Sequence, residues 1–208
     1  ESHTCVGSFT VLGQKIHCHK VQGHGALTFA EGIQQSCNPW LMRIGAQIGA
    51  SRFYDYFKSF GYFEKTGIDL PGEGSTVEGV TFWNKGLFES ADIYLATASF
   101  GQNFKISVLG HVTAIAAVAN GGDLVTPRLV KSIVDQNGNV IKSFEPEIRR
   151  QVISAQTAQK ISKILEEGVS GNGGAKNAYV AGYRIAAKTG TSEKRDIKDA
   201  ALRVSSTV

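Results

Sequence analysis

The chain has 208 residues, a net charge of +4 and a hydrophobic content of 42%, which suits one globular domain or a large piece of one. The charge excess is slight and spread out, and its densest cluster, Glu193-Lys194-Arg195-Asp196-Ile197-Lys198, mixes both signs; without a basic stripe or a known module, no nucleic-acid partner is expected. No run reaches the roughly 18 apolar residues of a membrane span, and the longest, Val112 to Ala119, reads as a buried helix.

No signal peptide stands at residue 1, and Glu1 is not an initiator methionine, so a processed or cloned fragment is expected, with any anchor lying upstream. Cys5, Cys18 and Cys37 make an odd set, which argues against a full disulfide framework, although Cys5 and Cys18 have the freedom to bridge.

The Thr28-Phe29-Ala30-Glu31 stretch fits a capping box and starts a helix running to about Gln35. Asn38-Pro39 restarts a helix, with Asn as N-cap and Pro at the first helical position. Trp40, Leu41, Ile44 and Ile48 give it an apolar face. A further helix spans about Ser51 to Phe60 and stops at Gly61; residues 64–80 read as loop. Ser107 to Asn120 is a helix ended by Gly121-Gly122. Leu129 to Asp135 and Val140 to Phe144 alternate as strands around an Asn137-Gly138 hairpin turn. Ser154 to Gly168 is a helix with Ile161, Ile164 and Leu165 on one side. Arg184 to Thr191 reads as a buried strand, and Leu202 to Val208 as the start of another.

Two short motifs carry chemistry. Lys188-Thr189-Gly190-Thr191 ends the apolar stretch Tyr183-Arg184-Ile185-Ala186-Ala187. On a strand edge, a lysine holds a carboxylate and acidifies nearby hydroxyls. Thr189 and Thr191 would share one face, Gly190 would leave room for a ligand at the backbone, and the Thr191 N–H would be an oxyanion donor. A second copy, Lys65-Thr66-Gly67, follows no strand and reads as a turn. Ser36-Cys37-Asn38 lies at the junction of two predicted helices. There a serine can relay a proton and an asparagine can hold an amide; Asn38 can equally serve as a plain helix cap.

With Ser-x-x-Lys, these elements form the signature of serine acyltransferases that recognise penicillin. The chain resembles class B penicillin-binding protein transpeptidases, above all the sporulation (stage V sporulation protein D) and division types. The resemblance also rests on Gly23-His24-Gly25 through Glu31, Phe63 through Glu73, Phe100-Gly101-Gln102 and Asn120-Gly121-Gly122. It implies an α/β (α+β) fold of the penicillin-binding transpeptidase/β-lactamase type: an antiparallel sheet flanked by helices, incomplete at both ends. Residues 1–208 would be one partial transpeptidase domain lacking the upstream Ser-x-x-Lys segment and the C-terminal strand or strands.

The implied reaction is acyl transfer from the D-Ala-D-Ala end of a peptidoglycan stem peptide to an amine, with β-lactams acylating the same serine. Ser36 would assist proton transfer, Asn38 would hold the acyl-side amide, Lys188 would set the electrostatics, and Thr189, Gly190 and Thr191 would form the carboxylate subsite. No serine in the chain has a lysine three residues later, so no nucleophile is assigned and the chain by itself is expected to be inactive. No cofactor is implied. The resemblance places the parent protein on the extracytoplasmic face of the cell membrane, with a cell-wall glycosyltransferase as a further partner.

A rival reading starts from His3, Cys5, His17, Cys18, His19 and His24. Histidine and cysteine at this density are zinc-ligand types, and Cys5 and Cys18 with two histidines would make a tetrahedral site. No Cys-x-x-Cys spacing supports it, and the plainer reading is a polar strand leading into the helix at Thr28, so no metal ligand is assigned. On this reading the domain would be a non-catalytic β-lactam-sensing or zinc-stabilised binding module.

Overall fold

A computed structural model of the chain describes residues 2–191. Strands β1 (Ser2–Cys5), β2 (Ser8–Val11), β3 (Gln14–His17) and β4 (Gly25–Thr28) come first, followed by helices α1 (Phe29–Gln34), α2 (Asn38–Ile48), α3 (Ala50–Ser59), α4 (Lys85–Ser90), α5 (Asp92–Ser99) and α6 (Val108–Ala119). Strands β5 (Asp123–Val125), β6 (Ser132–Val134), β7 (Val140–Ser143) and β8 (Ile148–Gln151) precede the long helix α7 (Ala155–Ser170). Among the described residues the strands pair antiparallel in four two-stranded ladders, β1–β4, β2–β3, β5–β8 and β6–β7. No helix among them is long and apolar enough to cross a membrane.

The caps follow the sequence. Thr28 accepts from the Glu31 amide while the Glu31 carboxylate accepts from the Thr28 amide, which completes the predicted box. Ser107 and Ser154 cap α6 and α7. The β2–β3 turn places Leu12 and Gly13 at positive φ, the geometry that matches the twist of paired strands. The Asn137-Gly138 turn is as expected: the Asp135 carboxylate accepts from the Asn137 and Asn139 amides. The second Lys-Thr-Gly is a turn, organised by the Glu73 carboxylate. That group accepts from the Thr66 hydroxyl at 2.6 Å and from the Gly67 amide at 3.1 Å.

Strands β1 and β2, helices α4 and α5 and strands β5 and β8 are not legible in the sequence. Helices α4 and α5 fill the stretch between residue 80 and residue 107. The α5 helix buries Leu95, Ala96, Thr97 and Ala98 and so has no amphipathic stripe to detect. Strands β5 and β8, of three and four residues, are too short to show alternation. Two expectations are corrected. The N-cap of α2 is Cys37, and Asn38 is its first helical residue. Residues 184–191 have no ladder partner among the described residues and are mostly exposed, so this stretch is irregular chain and not a buried strand. A strand requires a partner for its amides and carbonyls. The predicted strand at Leu202 to Val208 lies outside the described residues.

Among the described residues three cores hold the elements. Cys5, Cys18, Leu27, Cys37 and Trp40 form one, beneath the α1–α2 turn. Val11, Met42 and Ala96 form a second between β2, α2 and α5. There α2 and α5 approach so closely that a Cβ on Gly45 would stand 1.9 Å from the Ser99 hydroxyl. The third is aromatic: Tyr54, Phe82 and Phe88 with Phe53, Phe57 and Phe63, ring centroids 4.8–6.5 Å apart. Phe88 is wholly buried. Phe88→Ala is therefore expected to lower stability by about 3–5 kcal/mol, read as a fall in the denaturation midpoint; a loss below about 1 kcal/mol would show that this cluster is not a packed core.

Candidate active site

The site forms where the α1–α2 turn meets the segment after α7. The α1 helix ends in a tight return: the Ser36 amide donates to the Ile33 carbonyl at 3.0 Å and the Cys37 amide to the Gly32 carbonyl at 3.1 Å. The return forces Ser36 to φ +50°, a left-handed conformation that is uncommon for a residue with a Cβ. Such strain persists only where the surroundings hold it, and it clusters at functional positions.

The Ser36 hydroxyl accepts a hydrogen bond from the Lys188 ammonium at 2.5 Å, across 152 residues of sequence. Lys188 also donates to the Thr189 carbonyl at 3.2 Å. Much of Lys188 is open to solvent, but burial around its amine lowers its pKa. The two motifs predicted from sequence therefore meet through their serine and their lysine.

The Lys188 segment is held from both sides. Arg184 makes a bidentate ion pair with Glu166 on α7, at 2.6 and 2.8 Å. The Gln102 carboxamide donates to the Thr191 carbonyl at 3.1 Å. Gln102 follows Gly101, which stands at φ +88° and so turns the chain after α5. The Thr189 side chain lies near Gly174. Gly190 has open space where a Cβ would project, which fits a place for a ligand.

Asn38 is placed beside Ser36 but spends its carboxamide N–H differently from a cap. It donates to the His17 carbonyl at 3.2 Å, tying α2 to the end of β3 and leaving the side-chain oxygen as an acceptor. Gln102, Arg184 and Glu166 were missed as site residues. Gly101-Gln102 was visible as a motif, but its contact with residue 191 is purely tertiary. The Arg184–Glu166 pair, 18 residues apart, has no signature in sequence.

Cys37, between Ser36 and Asn38, points the other way, into the core. Its thiol meets Cys5, Cys18 and His24, and the four ligand atoms all lie within 4.8 Å of one another. The Cys18 sulfur is 3.5 Å from His24 Nδ1. All three cysteines are buried and free, so Cys5 and Cys18 form no bridge. Burial pushes the Cys37 thiol up. Burial acts the same way on Cys5, but the backbone amides of His24 and Gly7, with the Cys37 and Cys18 thiols, outweigh it and hold Cys5 below its ordinary value.

This corrects the ligand set of the rival reading. The cluster joins Cys37 and a single histidine to Cys5 and Cys18, and the strand ends at His17, so Cys18 turns inward from the loop that follows. His3 is elsewhere, 3.4 Å from Arg43. His19 stays at the edge, its Nδ1 3.9 Å from the Cys18 sulfur.

Residues 2–205 match the family described as penicillin binding protein transpeptidase domain. This chain belongs to that family. It is 38% identical over 194 residues to stage V sporulation protein D of Bacillus subtilis, an alignment covering 93% of this chain and 29% of that protein. It is 30% identical to the penicillin-binding protein PbpB of Mycobacterium tuberculosis, over 90% of this chain and 28% of that one. The chain thus spans under a third of the length of these relatives. Among solved structures, penicillin-binding protein 3 of Mycobacterium tuberculosis in complex with ampicillin superposes with a TM-score of 0.77 at 28% identity, over 95% of this chain and 44% of that one. The D,D-transpeptidase domain from Eggerthella lenta shares the fold, with a TM-score of 0.80 at 24% identity over 94% of this chain and 49% of that one. The expected fold class, an α+β transpeptidase architecture, is that of these structures.

The Arg184–Glu166 pair makes the order of the Lys188 segment depend on pH. Arg184 holds the Glu166 carboxyl below its usual range. A depressed carboxyl contributes order above its ordinary pKa of 4.5 and loses it as pH falls through the lowered value. The Glu166 carboxyl is expected to titrate below its ordinary value when followed by side-chain NMR, and Arg184→Gln is expected to return it to that value. A Glu166 titration that Arg184→Gln leaves unchanged would count against the pair.

Proposed function

We propose that this chain is the part of a peptidoglycan D,D-transpeptidase that carries its proton relay and carboxylate subsite, with the nucleophilic Ser-x-x-Lys supplied by the rest of the protein. The observation that carries this is the 2.5 Å Lys188–Ser36 hydrogen bond in a chain of the transpeptidase family.

The chemistry follows from the groups present. An acyl donor ending in D-Ala-D-Ala brings a carboxylate, which the Lys188 cation and the Thr189 and Thr191 hydroxyls are suited to hold, with Gly190 leaving room for it. When the peptide bond breaks, the leaving amine needs a proton. Ser36, hydrogen-bonded to a lysine of lowered pKa, can pass one and be reprotonated from Lys188. The Asn38 side-chain oxygen is available to accept from the acyl-side amide because its N–H is already committed to His17. A β-lactam carries both the carboxylate and the strained amide, so it would occupy the same groups. A neighbouring stem-peptide amine would take the acyl group.

Residues 1–208 on this reading are one partial domain of a protein working at the extracytoplasmic face of the membrane through an anchor elsewhere in its sequence. A cell-wall glycosyltransferase would be its working partner. The match to stage V sporulation protein D favours a sporulation role. The comparisons favour acyl transfer over the non-catalytic rival.

Intact-mass analysis of the full-length protein with benzylpenicillin tests this. One covalent adduct on a serine outside residues 1–208 is expected; no adduct would refute acyl transfer. Ser36→Ala and Lys188→Ala are each expected to slow acylation by about 100-fold or more. Because Lys188 acts as a cation, acylation is expected to fall as pH rises through its lowered pKa, below the ordinary 10.5. Lys188→Arg, charged throughout that range, is expected to remove this alkaline limb; an unchanged limb would assign it to another group.

A further inference from the structure

The thiol cluster behind Ser36-Cys37-Asn38 is built more closely than a core of small apolar side chains needs. Free cysteines often pack as small hydrophobes, and Cys5, Cys18 and Cys37 are 2%, 2% and 0% exposed. Ordinary packing, however, does not bring an imidazole nitrogen to the same point.

The backbone has been shaped for this convergence. Gly7, at φ +90°, lies so close to the loop after Cys18 that a Cβ would stand 1.8 Å from the Val21 carbonyl oxygen. Gly23, at φ +85°, lies so close to Cys5 that a Cβ would stand 2.2 Å from its carbonyl oxygen. The Cys18 amide donates to the Gly7 carbonyl at 2.9 Å. Two glycines thus press the loop of residues 18–24 onto the end of β1. The result is that Cys5, Cys18 and His24 face Cys37 from one side.

A tetrahedral metal with bonds of about 2.3 Å to sulfur and about 2.0 Å to nitrogen sets its ligand atoms roughly 3.5–3.8 Å apart. The Cys18–His24 pair is already at 3.5 Å. The widest separation in the group, at most 4.8 Å, need close by only about 1 Å. Three thiolates and one imidazole, with no carboxylate, select zinc over hard cations. Four protein ligands fill the coordination shell, so the ion would hold structure and would not activate water.

We infer that Cys5, Cys18, His24 and Cys37 form a structural zinc site that clamps the N-terminal strands to the Ser36-Cys37-Asn38 turn. Each cysteine gives up its proton on binding, and the net charge of the site is shared between the ion and three thiolates. The clamp acts on the residue between the two motif side chains. It fixes Cys37 from below while Lys188 and His17 hold Ser36 and Asn38 from above. It thereby sustains the left-handed Ser36 that the relay uses. This positional role, though not the metal site itself, rests on the acyl-transfer reading above.

The test uses the full-length protein purified without chelator. About one zinc per chain is expected by elemental analysis. Cobalt substituted for zinc is expected to show thiolate charge-transfer bands and the visible bands of a tetrahedral ion. Cys18→Ser and His24→Ala are expected to weaken or lose both signals, whereas His19→Ala keeps them. If the variants do not fold, the cobalt spectrum of the unaltered protein still decides. No zinc after incubation with the ion, a mass showing a Cys5–Cys18 disulfide, or zinc retained in both ligand variants would overturn the site. Chelation is expected to lower the thermal midpoint by on the order of 5 °C and to slow benzylpenicillin acylation about tenfold or more. Zinc removed with no change in either would overturn the clamp. A protein that binds zinc but is never acylated would keep the site and refute the reaction.

Discussion

Everything at the site depends on the packing of α1 against α7. Ser36 and Lys188 are 152 residues apart, and their hydrogen bond is possible only because these two helices lie side by side. The seam is polar and specific. Gln34 donates to the Ile164 carbonyl and Gln35 to the Asn172 carbonyl, while the Gly174 amide donates to the Gln34 carbonyl. Gly168, buried in the last turn of α7, would carry a Cβ only 3.1 Å from the Gln34 side chain, so a larger residue there would push that side chain aside. Once the helices are docked, the chain leaving α7 passes Gly174 and returns along the end of α1, and Arg184 fastens it to Glu166 on the way. The lysine is delivered by a helix seam and one ion pair.

The α1–α2 turn faces two ways, and its three residues divide the work. Ser36 faces the open side, Asn38 reaches back to β3, and Cys37 enters the core beneath. The strain at Ser36 is tolerable because both sides are held. Below, Cys37 and Trp40 sit in the same apolar cluster, and Gly32 lies against the Trp40 ring so closely that a Cβ would fall 2.2 Å from it. A turn fixed on only one face would be free to relax Ser36 into an ordinary conformation and carry its hydroxyl away from Lys188. The thiol cluster therefore bears on the geometry of Ser36 from the opposite face of the turn. The aromatic core plays a more distant part. It supports α3, α4 and α5, and the chain leaving α5 turns at Gly101 to bring Gln102 onto Thr191.

The local chemistry of this chain was legible from its residues. Thr28 with Glu31, Ser107, Ser154 and Asn137-Gly138 each satisfy backbone groups within a few residues, so their elements appear where the sequence puts them. The two motifs were legible as chemistry because a lysine beside small hydroxyl residues, and a serine beside an asparagine at a helix junction, are unusual enough to name a family. What the residues did not disclose was anything held by a distant partner. Helix α5 was invisible because burial on all sides removes the polar face that periodicity needs. Residues 184–191 have the composition of a strand, yet strand formation depends on a neighbouring chain and none pairs with them among the described residues. Asn38 looked like a cap because caps are local; its actual partner, the His17 carbonyl, lies 21 residues back. The histidine–cysteine richness of the N-terminus was plain, but which of six candidates converge was settled by two close backbone approaches at Gly7 and Gly23, and by Cys37, which lies outside that segment. Sequence by itself thus determined most caps and turns and the family, because those depend on residue type and short spacing. Only the tertiary structure decided which side chains meet, because a meeting across 152 residues is set by helix packing and not by spacing.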